Sequence, residues 1–175
     1  SSPSRGLGDV YKRQGKVDSV TGFSFSSYLN LVRLGVPEED ISTILMADHG
    51  LKLYGNAVIV NTDYAKNNSD MVKKFLVAIG AGWRDAIKDP KAAAAALVKR
   101  NPAADAALEQ RRLQLAIDAN VLTDYVKANG MGGVDSSRFA AAIEQLSETY
   151  EYKAAPNAAL YFTDEYLPAS GISLN

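Results

Sequence analysis

Apolar positions change their period partway along the chain. Near the start, residues 15–21 (GKVDSVT) set Val17, Ser19 and Thr21 against Asp18 and Val20, which predicts a short strand ending at Gly22. Residues 24–34 bring Phe25, Leu29 and Val32 onto one helical face, and Gly35-Val36-Pro37 stops the helix. Residues 41–47 read as a second strand, with Ile41, Thr43 and Leu45 on one side. Residues 54–61 (YGNAVIVN) predict a third, because Ala57-Val58-Ile59-Val60 is an unbroken, largely β-branched run of the kind buried on both faces of a sheet.

From Ser69 onward the period is helical. Ser69 and Asp70 start a helix whose stripe is Val72, Phe75, Leu76, Ile79, Trp83 and Ile87, and that stripe is expected to be buried. Gly80 and Gly82 each weaken its middle by about 1 kcal/mol relative to Ala, so they imply close packing or a bend. Asp89-Pro90 and Asn101-Pro102 read as a cap followed by Pro at the first helical position, predicting helices over 91–100 and 103–119. A short turn from Thr123 is interrupted by Asn129-Gly130-Met131-Gly132-Gly133. Asp135 then caps a helix carrying Phe139, Ile143, Leu146 and Tyr150. An aromatic segment with Tyr161, Phe162, Tyr166 and Leu167 closes the chain.

Residues 1–14 (SSPSRGLGDVYKRQ) show neither period and resemble a translated library linker, so they are read as a non-native tail and set aside from the fold. Three strands cannot satisfy a sheet by themselves. The pattern is therefore expected to be the later part of an open α/β protein, helix-rich after the third strand.

Composition narrows the chemistry. With 47% hydrophobic and 22% charged residues among 175, the chain has the balance of a folded domain and not that of a disordered one. It holds 19 basic and 20 acidic residues; without Arg5, Lys12, Arg13 and Asp9 of the tail, 16 basic and 19 acidic side chains remain, a net charge of −3. No overall field draws such a chain to nucleic acid. There is no Cys and one His, which removes disulfides, thiolate or His-cluster metal sites and a Cys nucleophile from these residues. The phosphate-loop, dinucleotide, zinc-protease and nucleophile-elbow signatures do not occur, so no catalytic residue, metal or cofactor is assigned. His49 in a turn, the Asp164-Glu165 pair and Arg111-Arg112 read as solvated surface, and Gly130-Met131-Gly132-Gly133 as a helix reversal.

Two segments carry candidate binding chemistry. Thr21-Gly22-Phe23-Ser24 places hydroxyls and an aromatic ring between the end of a strand and the start of a helix, where open α/β sheets bind ligands. Tyr54-Gly55-Asn56 precedes the strongest strand with a ring, a residue permitting close approach, and an amide. The competing expectation is that Phe25 and Tyr28 are core and that Tyr54 packs under a loop.

In order and spacing, GKVDSVTGFSFSSYLNL, LYGNAVIVNTDYAKNNSDMVKKFLVA, IDANV, GGVD and YFTDEYLP resemble the C-terminal half of the periplasmic substrate-binding proteins of ABC importers, in the taurine/nitrate/sulfonate and thiamine-pyrimidine-precursor group. The resemblance runs from Gly15 to the end of the chain. It implies a type II periplasmic-binding fold of two lobes, with residues 15–53 in the second lobe and residues 54–175 supplying the crossing strand and C-terminal helices of the first. It further implies that Thr21, Gly22, Phe23, Ser24, Tyr54 and Asn56 face the ligand cleft, with Gly55 as a hinge. The implied function is binding of a small polar or heteroaromatic solute without chemistry, by a monomer partnered with a permease and an ATPase, in the periplasm or anchored outside the membrane. The fungal pyrimidine-precursor synthase shares this fold and is the alternative, but it calls for a cysteine-rich motif and a reactive His. The two cleft segments contain no Lys or Arg, which favours a neutral or aromatic solute over an anion.

Overall fold

The structure is a computed structural model that describes residues 15, 17–154 and 156–174. The tail expected over residues 1–14 lies outside the described residues. The described chain is helix-rich, as expected after the third segment. A π-helical turn, Ser24–Tyr28, continues into α1 (Leu29–Arg33). There follow α2 (Thr62–Asn67), α3 (Ser69–Lys88), α4 (Pro90–Arg100), α5 (Ala106–Ala116), α6 (Asp124–Asn129) and α7 (Ser136–Thr149). A second π-helical turn, Ile117–Val121, extends α5.

The expected strands do not form. Described residues in 17–23, 41–45 and 51–61 are neither helical nor paired, and Met46–His49 is a single 3-10 turn. The one pairing among the described residues is an isolated antiparallel bridge between Met131 and Ile172. A strand exists only through its ladder, and among the described residues none pairs with these segments. The largest departure concerns residues 57–60. Expected to be buried on both faces, they leave Val58 52%, Ile59 92% and Val60 37% exposed.

Where a helix depends only on local chemistry, expectation and structure agree. Asp89 caps α4 by accepting from Ala92 N at 2.9 Å, with Pro90 at the first position, and Asp135 caps α7 by accepting from Arg138 N at 2.7 Å. The start expected at Asn101-Pro102 shifts: Asn101 ends α4, and Asp105 caps α5 through Leu108 N at 2.7 Å. Helix α2 was not expected. Asn61, read as the end of a strand, caps it by accepting from Tyr64 N at 3.0 Å.

Backbone contacts divide the chain into two compact units. The first joins residues up to Leu45 with residues 86–122. There α4 packs on α5, and α5 on both π-helical turns, around buried Leu29, Leu31, Ala94 and Ile117. Two adjacent arginines on α5 brace it. Arg111 forms a bidentate pair with Glu38 at 2.8 and 2.6 Å and lies over the Tyr28 ring, whose hydroxyl also donates to Glu38. These bonds, the one from Arg111 foremost, hold the Glu38 carboxyl down at about 2, and the bond to Glu38 pushes the Tyr28 phenol up. The solvated face expected for Arg111-Arg112 is thus corrected: both side chains reach across the sequence, because a guanidinium has a fork of donors that a carboxylate and a carbonyl can fill.

The second unit joins residues 46–85 with residues 123–174 among those described. It is built around buried Ala65, Val72, Ala142, Ile172 and Leu174. The stripe of α3 is buried at Val72 and partly covered at Leu76, Ile79 and Trp83, but Phe75 is 53% exposed, contrary to expectation. Gly130 and Gly171 flank the bridge with φ of +76° and +68° and press so closely that a Cβ on Gly171 would lie 2.5 Å from Asn129 O. Gly80 and Gly82 have different reasons to be glycine. A Cβ on Gly80 would meet Ile172 Cγ2 at 2.2 Å, whereas one on Gly82 would meet nothing within 4 Å.

Two outcomes are expected from variants. Gly82→Ala should raise stability by about 0.5–1 kcal/mol through helix propensity alone, and Gly80→Ala should lower it by about 1–3 kcal/mol by overpacking against Ile172, both read by urea unfolding. For Glu38, a pKa depressed in the folded state stabilises above the ordinary value of 4.5 and ceases to do so as pH falls toward about 2. The melting temperature of Glu38→Gln should therefore lie below that of the parent by a constant amount above about pH 5.5, and the gap should close between pH 4.5 and 2.

Candidate functional site

The six residues expected to meet a ligand fall four in the first unit and two in the second. In the first, the chain arrives extended at Phe23 (φ −76°, ψ 138°) and turns into the π-helical segment. Phe23 O accepts from Ser26 N and Ser27 N, each at 2.9 Å. The turn is tight beside Gly22, where a Cβ would lie 2.0 Å from Ser27 Oγ; any larger residue there would force Ser27 to move. Phe23 stacks on Phe25 with ring centroids 5.1 Å apart and planes 9° from parallel. Thr21 and Gly22 are exposed, and Phe23 and Ser24 half-buried. The result is a partly open aromatic step in a segment that also carries the hydroxyl residues Thr21 and Ser24. Such a surface suits a flat ring with polar edges, which gains contact area from the ring and orientation from the hydroxyls.

This step has a support that sequence reading did not identify. Arg112, on α5, donates from Nη1 to Phe25 O at 2.9 Å, from Nη2 to Asn30 Oδ1 at 3.4 Å and from Nε to Glu109 Oε2 at 3.1 Å. It thus ties the turn after Phe23 to α5. No local signal marks that link, because Phe25 and Arg112 are 87 residues apart.

In the second unit Tyr54 is engaged at several points. Its hydroxyl oxygen accepts from Asp135 N at 2.8 Å, Arg138 Cζ lies 4.4 Å above its ring centroid, and the Phe139 ring meets it at a tilt, 6.2 Å away and 57° from parallel. Phe162 continues the cluster 6.1 Å beyond Phe139. Arg138 also donates to Lys52 O at 2.8 Å and Leu53 O at 3.0 Å, fixing the backbone just before Tyr54. Bonds from Ser137 Oγ and Arg138 N lower the Asp135 carboxyl, and burial, with Tyr54 and Asp135 close by, raises the Tyr125 phenol. Tyr54 is thus a half-buried member of an aromatic cluster with its hydroxyl already bonded, while Asn56 two residues later is exposed. His49 ends an exposed 3-10 turn. Among the described residues, no three His, Cys, Asp or Glu side chains are grouped as a metal site would need. No helix of the described residues is long and apolar enough to cross a membrane.

A scan against family models matches residues 11–93 to the family described as NMT1/THI5 like. The match includes all six expected ligand residues and ends within α4, so residues 94–175 lie beyond it. No curated protein and no solved structure matches the chain. Residues 11–93 are thus an NMT1/THI5-like segment, of the family of taurine, nitrate, sulfonate and thiamine-precursor binding proteins.

Proposed function

We propose that the protein is the solute-binding component of an ABC import system and takes up a small polar or heteroaromatic molecule without transforming it. The observation that carries this reading is the NMT1/THI5-like match, which spans both candidate segments. In the proposal Thr21, Gly22, Phe23 and Ser24 form one ligand-contacting group and Tyr54 and Asn56 another. Residues 15–53 belong to the second lobe of the parent fold, and residues 54–175 to the crossing strand and helices of the first. The partners are a permease and an ATPase, and the place of action is outside the cytoplasmic membrane, as is typical of the family.

The stacked Phe23 and Phe25 favour a planar ligand of the pyrimidine-precursor type. Although Arg112 and Arg138 lie next to the two segments, their donors are directed at backbone carbonyls, Asn30 and Glu109, an arrangement that favours a neutral ring over nitrate or a sulfonate. The family also includes a thiamine-precursor synthase, so a pyrimidine-forming enzyme is the second reading. Within these 175 residues it would have to work without Cys and with His49 as its imidazole.

Calorimetric titration with an aminopyrimidine, taurine and nitrate tests the first reading. Binding of the aminopyrimidine with recovery of the unchanged compound is expected; its conversion to another product would establish the enzyme, and the absence of binding by all three would remove the solute class. Phe23→Ala should weaken binding by about 1–3 kcal/mol if the ring stacks on the ligand. Since Phe23 is only half-buried, the unliganded protein should lose less than the roughly 3–5 kcal/mol that a core Phe would cost.

A further inference from the structure

The π-helical turn Ser24–Tyr28 carries the Phe23–Phe25 step, and its local chemistry accounts poorly for its shape. Bonding from i to i+5 is rare, and the serines at 24, 26 and 27 compete with a helical backbone more than they support it. No side chain caps the turn at Phe23, and none of its five residues is fully buried, so neither capping nor burial fixes it. Two groups from α5 reach it. Arg111 meets it only at its last residue, Tyr28, whereas Arg112 reaches its middle at Phe25 O.

Arg112 is itself held. Its side chain is 23% exposed and that of Glu109, which accepts from Nε at 3.1 Å, 19%. Asn30 Oδ1, on α1 just past the turn, accepts from Nη2 at 3.4 Å. The planar guanidinium thus spans three elements, with one nitrogen on α5, one on the turn and one on α1. Each nitrogen has a protein acceptor, the arrangement of a brace and not of an anion receptor. Lysine could not replace it, because a single ammonium has no fork to span the three acceptors.

We infer that Arg112 is the positioning residue of the solute site: it touches no solute, and it sets the affinity of the Phe23–Phe25 step by holding Phe25 O against α5, so that the stack is formed before a ligand binds. This rests on the reading of the step as a ligand surface.

Arg112→Lys in the 175-residue chain separates this role from others. The amides of Ser26 and Ser27, which donate to Phe23 O, should exchange roughly tenfold faster than in the parent, while those of α4 keep their rates. Aminopyrimidine binding should weaken about tenfold, with taurine and nitrate keeping their rank below it. In a Phe23→Ala background the same substitution should change affinity less than about twofold, because the group it acts through is gone. If Arg112→Lys does not fold, Glu109→Gln, which removes the charge of the Nε partner and keeps Arg112, should show the same pattern at smaller size. Equal loss of affinity with and without Phe23, exchange in α4 accelerated to the same degree, or a loss confined to taurine and nitrate would each overturn the inference. A parent that binds none of the three solutes removes the solute reading instead, and the amides of Ser26 and Ser27 then decide: unchanged exchange in Arg112→Lys overturns the positioning role too.

Discussion

A backbone carries a donor and an acceptor at nearly every residue, and each must find a partner or stay in water. Most of this chain meets that demand locally, by making helices. Residues 57–60 do not: Val58, Ile59 and Val60 are consecutive β-branched residues that suit a sheet better than a helix, and their ladder would have to come from another segment. The helices around this run form without it: Asn61 at its end turns directly into the cap of α2, and Arg138 holds the carbonyls at its start. The run is thus fixed at both ends and unpaired in between among the described residues.

Arginine holds the irregular segments elsewhere as well. Arg111 and Arg112 in the first unit and Arg138 in the second each reach residues more than 70 positions away and bind them through several nitrogens. In each unit, an arginine on a helix fixes a stretch of chain that has no ladder of its own. For Phe23 this has a functional consequence. An aromatic step on a loop would lose affinity to its own motion, whereas one tied through Phe25 O to α5 offers a ligand a surface ordered in advance.

What could be read from the sequence follows the range of the interactions concerned. The caps at Asp89 and Asp135 and the reversal at Gly130 depend on residues three or four positions away, and they stand where the pattern put them. Asn101-Pro102 misled because Asp105 offered a second cap just beyond. Gly80 could be marked as unusual but not explained, since its reason is Ile172 on another segment. The strands were misread for the same reason on a larger scale: alternation and β-branching report that a segment suits a sheet, not that a sheet is there. At the candidate site, the residue types at Thr21–Ser24 were legible and the support from Arg112 was not. Tyr54 was singled out for its ring, and the structure shows that ring packed against Arg138 and Phe139.

The most direct measurement of whether residues 57–60 stand without a ladder while the helices around them are formed is amide hydrogen exchange at these positions. They should exchange close to the rate of an unstructured chain while the amides of α3 stay protected. Protection of residues 57–60 equal to that of α3 would contradict this, since it would place a partner for the run within the chain itself.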